Sequence, residues 1–153
     1  MRLSPQCRSP FQYRLAKRDR TTEAGTTILI IEDDTGTREA LCEILDDAGY
    51  SVLPAENGLR ALQSVEATGE TPALILLDLA MPVMDGMAFL SQIPEHARLA
   101  AVPVIVMSAD SKAPRLRVER PGNVMEVLPK PIDVPRMMEL VRKHTAQSPH
   151  RPR

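Results

Sequence analysis

Apolar positions in this chain come in short runs, and each run stops abruptly on a polar residue. Ile28-Leu-Ile-Ile31 leads into Glu32-Asp33-Asp34, and Leu74-Ile-Leu-Leu77 leads into Asp78 and the Pro/Gly-punctuated stretch that closes at Gly86. Val102-Pro-Val-Ile-Val-Met107 leads into Ser108-Ala-Asp110, and Glu126-Val-Leu-Pro129 leads into Lys130-Pro131. Continuous aliphatic runs bounded by turn signals predict strands buried on both faces, because a strand with one wet face would alternate.

Between the runs the spacing becomes helical. Leu41, Ile44, Leu45 and Ala48 share one face of a first helix that Gly49 closes at its C′ position. Tyr50-Ser-Val-Leu-Pro-Ala55 reads as a short second strand whose late proline suits a sheet edge. Asn57-Gly58 opens a second helix with Leu59, Leu62 and Val65 inward and Gly69 at its end. Gly86 to Ile93 gives a third helix, with Phe89 and Leu90 inward, broken at Pro94. Segment 111–123 is the weakest helix, having Pro114 near its start and Pro121-Gly122 at its end. Asp133 caps a last helix that tolerates Pro135 in its first turn, buries Met137, Leu140 and Val141, and ends on the dipole-matching Arg142, Lys143 and His144. Strands alternating with helices through short links predict an α/β fold, a parallel sheet covered on both faces with right-handed crossovers.

Composition sharpens the domain limits. Residues 1–25 carry six Lys/Arg against two acids and show no sustained periodicity, so they are expected to form a disordered basic extension. Residues 26–146 hold eleven basic against eighteen acidic residues, a net of −7, and form the expected single domain. Residues 147–153 read as a disordered Pro/Arg tail. A basic stripe of the kind that tracks nucleic acid is missing from the domain, and no helix-turn-helix segment appears, so direct DNA binding is not expected. With aromatics at 3%, the core must be aliphatic and methionine-filled. Cys7 and Cys42 sit in a polar tail and a helical pattern, which fits a reducing cytoplasm better than a disulfide framework. No run reaches the length of a membrane span, and the N-terminus lacks a signal-peptide core.

Parallel strands would bring the four polar endings to one edge of the sheet, where open α/β folds bind their ligands. Carboxylates gathered there repel unless a cation sits among them. Asp33, Asp78 and an adjacent acid form an oxygen-only set suited to a hard divalent ion, with Mg²⁺ the natural candidate. A carboxylate beside such an ion can attack a phosphoryl group and become an aspartyl-phosphate. An ammonium and a hydroxyl, the groups Lys130 and Ser108 supply, would then offset charge on the phosphoryl oxygens.

At these residues the chain resembles the response-regulator receiver domain of two-component signalling. The likeness covers about residues 26–146 and rests on Ile-Leu-Ile-Ile-Glu32-Asp33-Asp34, Ala55-Glu-Asn-Gly-Leu-Arg-Ala-Leu62, Leu-Leu-Asp78-Leu-Ala-Met-Pro-Val-Met-Asp-Gly86, Val-Met-Ser108-Ala and Lys130-Pro131. The separations of 30 residues from Asp78 to Ser108 and 22 from Ser108 to Lys130 agree with it. The resemblance implies a flavodoxin-like (βα)5 three-layer sandwich with strand order 2-1-3-4-5. It implies Asp78 as phosphoacceptor, Asp33 as direct metal ligand, Glu32 acting partly through water, and the carbonyl of Ala80 as a further ligand. It also implies Ser108 and Lys130 as phosphoryl contacts, a cis Lys130–Pro131 bond, and a histidine kinase or phosphotransfer protein as donor. The family reports its state through the face built from its fourth helix, fifth strand and fifth helix. The expected role is therefore that of a signalling phosphoacceptor with no output domain, and not of an enzyme.

Three departures bear on that role. Val127 stands where many receivers carry Tyr or Phe three residues before the lysine, so the aromatic half of the usual switch is missing. Segment 111–123 carries Lys112, Arg115, Arg117 and Arg120, a basic set open to an acidic partner. Asn123 replaces the alanine of a common Gly-Ala turn, and Asn can take the left-handed conformation such a turn uses. These changes leave a second reading, a pseudo-receiver acting as a constitutive interaction module with impaired switching. A small Mg²⁺-dependent phosphohydrolase is disfavoured by Ala80, where a general acid would stand, and a dinucleotide-binding domain by the lack of a Gly-rich loop after the first strand.

Overall fold

The computed structural model describes residues 26–81, 83–109 and 123–146. Five parallel strands, β1 (Thr27–Ile31), β2 (Ser51–Ala55), β3 (Leu74–Asp78), β4 (Val104–Ser108) and β5 (Val124–Pro129), form one sheet in the order β2-β1-β3-β4-β5. The helices among the described residues are α1 (Thr35–Asp47), α2 (Gly58–Thr68), α3 (Gly86–Gln92) and α4 (Val134–Thr145), with a 3₁₀ turn at Ile93–Glu95 after α3. This is the parallel α/β sheet that the residue pattern predicts, in the flavodoxin-like order that the resemblance implies.

The strand pleat sorts the aliphatic runs into two cores. Leu29, Ile31, Ile75, Leu77, Val104 and Val106 point to one face, where Ala61 and Val65 of α2 and Phe89 and Leu90 of α3 cover them. Ile28, Ile30, Leu74, Leu76, Ile105 and Met107 point to the other, under Leu41 and Leu45 of α1 and Met137, Leu140 and Val141 of α4. All of β3 and β4 is buried, so the two central strands have no polar position to spare until their last residue.

Each described α-helix starts on an Asp or Asn whose side chain accepts an orphan amide of the first turn. Asp34 accepts from Thr37 N at 2.8 Å, Asn57 from Arg60 N at 2.9 Å, Asp85 from Ala88 N at 2.8 Å and Asp133 from Arg136 N at 3.1 Å. Gly69 closes α2 in the left-handed conformation, φ 67°, the backbone its place after the last turn requires. Pro54 lies in the edge strand β2, as its position in the run suggested.

Three local expectations differ from what is found. Leu59 is 42% exposed, and the inner face of α2 rests instead on Ala61 and Val65, with Leu62 partly buried. The Asn57 cap fixes where the first turn begins, and that phase turns position 59 outward. Ala48 is exposed as the C-cap of α1 and does not join its inner face. Asn123 does not adopt a left-handed backbone, since Val83 is the one non-glycine with positive φ among the described residues. Its Nδ2 donates to the carbonyl of Ala100, and its own carbonyl accepts from Val104 N at 2.8 Å, which ties the entry of β5 to β4. The expectations for residues 1–25 and 147–153, for the helix over 111–122, and for the basic set Lys112, Arg115, Arg117 and Arg120 fall outside the described residues.

Asn57 is 8% exposed, so its cap is a buried one. Replacing Asn57 by Ala is expected to lower the unfolding free energy by about 1 kcal/mol in urea denaturation, whereas Asn57→Gly should cost only a few tenths.

Candidate functional site

The register of the sheet assembles the site. Ile31 pairs with Leu77, so Glu32 and Asp78 are the next residues along adjacent strands. Asp78 pairs with Met107, which places Ser108 one step further, and Ser108 pairs with Pro129, which places Lys130 one step beyond that. Strand β1 leads outward to β2 and strand β3 leads the opposite way to β4, so the gap between β1 and β3 is the switch point where such sheets open.

Burial then fixes the electrostatics. Glu32 and Asp78 are 1% and 3% exposed, while Asp33 beside them is exposed. Ligand oxygens of Glu32, Asp33 and Asp78 lie within 4.8 Å of one another. Lys130 Nζ reaches into this group, 3.0 Å from Glu32 Oε2 and 3.4 Å from Asp78 Oδ1. Glu32 Oε1 accepts from Asp34 N at 3.2 Å, and Asp78 Oδ1 accepts from Ala80 N at 3.3 Å. The Lys130–Pro131 peptide is cis, and Lys130 N donates to the carbonyl of Ser108 at 2.9 Å. Ser108 is buried at the end of β4.

Desolvation pushes the Asp78 carboxyl above its usual range; Lys130 opposes the shift and the neighbouring Asp33 adds to it. Burial likewise raises Glu32, against the hydrogen bond from Lys130 and with the charge of Asp78. Burial works against the Lys130 ammonium, but its hydrogen bond to Glu32, then the charges of Glu32 and Asp78, outweigh it and hold the pKa above normal. Asp34 goes the other way, lowered by hydrogen bonds from the hydroxyl and amide of Thr37. The third acid of the Glu-Asp-Asp run is thus engaged as the cap of α1 and stands outside the carboxylate group.

The loop after Asp78 is tightly closed. Gly86 N donates to the carbonyl of Leu79 at 3.0 Å, and a Cβ on Gly86 would lie 2.7 Å from the Asp78 carbonyl oxygen and 2.7 Å from Leu79 Cα. Ala80 is held between these anchors. A further residue, which the pattern of apolar runs did not single out, joins the site. Arg38 of α1 donates from Nη1 to the carbonyl of Glu32 at 2.8 Å and to that of Asp33 at 3.3 Å. Its only signal in the sequence is a cation in the first turn of a helix, where the macrodipole disfavours one.

The donor set suits a hard divalent cation: carboxylate oxygens alone, close together and partly open to water through Asp33. Without such a cation the site is over-acidic, and this sets a pH dependence. A carboxyl whose pKa is higher in the folded than in the unfolded chain contributes stability below the unfolded value, and that contribution is lost as pH rises through the raised one. In metal-free protein, Asp78→Asn is therefore expected to raise the melting temperature by a few degrees at neutral pH. The gain should shrink as pH falls through the raised pKa of Asp78 toward the ordinary carboxylate range, as thermal melts across pH would report.

The model of the response regulator receiver domain matches residues 28–142. The sporulation initiation phosphotransferase F of Bacillus subtilis is 34% identical over 120 residues, which is 76% of this chain and 91% of that protein. A two-component response regulator-like protein of Oryza sativa subsp. indica is 35% identical over 100 residues, 65% of this chain, but the chain spans just 13% of its length. Among solved structures, a putative response regulator from Chloroflexus aurantiacus superposes with a TM-score of 0.70 at 27% identity, covering 80% of this chain and 98% of that one. The chain belongs to the response regulator receiver domain family.

Proposed function

We propose that the chain accepts a phosphoryl group on Asp78 from the phosphohistidine of a sensor kinase or phosphotransfer protein in the cytoplasm. The observation that carries this reading is the burial of two carboxylates with one ammonium at the β1–β3 opening, where a third, exposed carboxylate completes a cation site. The family membership and the phosphotransferase among its relatives support it.

In the proposed reaction an oxygen of the Asp78 carboxylate attacks phosphorus as the bond to the donor imidazole nitrogen breaks. The electron pair leaves with the imidazole, and an acyl phosphate forms on Asp78. Glu32, Asp33, Asp78 and the carbonyl of Ala80 would hold Mg²⁺, which supplies charge compensation for the phosphoryl oxygens. Ala80 N, already donating to Asp78 Oδ1, steadies the oxygen that is not attacking. Lys130 sits between Glu32 and Asp78 and is placed to transfer its contact from the carboxylate to an incoming phosphoryl oxygen. The Ser108 hydroxyl would bind another of those oxygens.

Transmission of the change to a downstream protein would run through β4 and β5, toward α4. Val127 is half-buried and packs against the core on the α2–α3 side, so it offers no ring to swing. Movement of the Ser108–Lys130 backbone pair is the remaining route. A pseudo-receiver without switching would have no need to keep acid pair, phosphoacceptor, hydroxyl and ammonium together, and the retention of all of them weighs against that reading.

Acetyl phosphate or beryllofluoride with Mg²⁺ is expected to shift the amide resonances of Leu79, Ala80, Ser108 and Lys130 in the wild type and to leave Asp78→Asn unaffected. Labelling of the variant equal to wild type would remove Asp78 from the role.

A further inference from the structure

Arg38 is the feature of the site that the proposed chemistry does not use. It stands in the first turn of α1, a turn that contains no acid. A cation there faces the positive end of the helix dipole. Its guanidinium is spread over the main chain, at 2.8 Å from the Glu32 carbonyl and 3.3 Å from the Asp33 carbonyl, with Nη2 3.5 Å from Thr35 Oγ1. A residue placed against a local preference and bonded this way needs a reason.

The two carbonyls belong to the peptide groups on either side of the Asp33 Cα. Holding both peptide planes fixes φ and ψ of Asp33, and with them the direction in which its Cα–Cβ bond leaves the chain. Glu32 and Asp78 have other restraints: both are buried, and Lys130 together with the amides of Asp34 and Ala80 fixes their oxygens. Asp33 is exposed, so burial does not aim it.

We infer that Arg38 is a positioning residue for a divalent cation, clamping the backbone on both sides of Asp33 so that its carboxylate completes the group formed by Glu32 and Asp78. The inference rests on the reading of that group as a cation site. It has a distinguishing sign. A guanidinium beside a divalent ion repels it, so on charge alone removal of Arg38 would tighten binding. A positioning role predicts the reverse.

The test uses the full chain. Mg²⁺ is titrated into metal-free wild type, Arg38→Ala and Arg38→Lys while the amide shifts of Asp33, Asp34, Leu79 and Ala80 are followed. Arg38→Ala is expected to weaken binding about tenfold, the scale on which partners behind metal ligands act. Arg38→Lys keeps the charge but loses the planar fork, so it should fall between the two. Before any metal is added, the Asp34 amide, bonded to Glu32 Oε1, should exchange with solvent faster in both variants. Equal or tighter Mg²⁺ binding by Arg38→Ala, beside a normal wild-type response, overturns the inference alone. If Arg38→Ala does not fold, wild-type affinity in Arg38→Lys overturns it instead. A wild type that shows no Mg²⁺ response removes the cation site itself and the inference with it.

Discussion

Two carboxylates withdrawn from water at the end of a parallel sheet, sharing one partly exposed ammonium, set the terms for the rest of this structure. Burying either charge type is costly, and mutual attraction offsets the cost when the geometry satisfies each group. Lys130 offsets one negative charge, and Glu32 and Asp78 share it at 3.0 and 3.4 Å. Burial, with the remaining imbalance of charge added, keeps both acids above their ordinary pKa range. A site left short of positive charge in this way suits a further cation, and under the proposed reaction phosphoryl oxygens on Asp78 would draw on the same lysine.

That imbalance is maintained because the sheet leaves no slack. β3 and β4 are buried along their full length, and a slip of one residue would exchange their two apolar faces and move Asp78 out of line with Glu32. The aliphatic runs on either side therefore do more than fill the cores. They fix the register that brings Glu32, Asp78, Ser108 and Lys130 to successive strand ends, and the caps that start α1, α2, α3 and α4 turn the chain back immediately beyond that edge.

Much of this was legible in the order of residues, for identifiable reasons. Runs such as Leu74–Leu77 have one low-energy fate in a small α/β domain, burial between two helix layers, and parallel pairing then dictates that Asp78 shares an edge with Glu32 and Lys130. The helix limits were legible wherever an Asn, Asp or Gly performs a backbone task, as at Asn57, Gly69 and Asp133. What escaped was set by contacts that leave little trace in a pattern. The outward turn of Leu59 follows from helix phase. The withdrawal of Asp34 into a cap depends on which of three adjacent acids meets the Thr37 amide. Arg38 acts on main-chain carbonyls, which every residue possesses, so no partner residue type betrays it.

The loop from Leu79 to Gly86 shows how the edge is kept stiff. Val83 lies at φ 71° and is 80% exposed. For a β-branched residue this conformation costs roughly 1–2 kcal/mol, and it persists where surrounding contacts over-determine it. Those contacts are present on both sides. Gly86 N bonds the Leu79 carbonyl at 3.0 Å, and Gly58 N bonds the Met84 carbonyl at 3.4 Å. The Met84 side chain lies so close over Gly58 that a Cβ there would sit 2.9 Å from its sulfur. The loop that carries Ala80 is therefore braced against the start of α2 as well as against the strand that bears Asp78. A change in charge at Asp78 would meet this braced loop on the α2 side, whereas on the β4–β5 side it would meet the flexible four-carbon stem of Lys130, whose backbone amide donates to the Ser108 carbonyl. Under the proposed phosphorylation of Asp78, displacement would follow the more compliant direction, toward β4 and β5, without any aromatic at position 127.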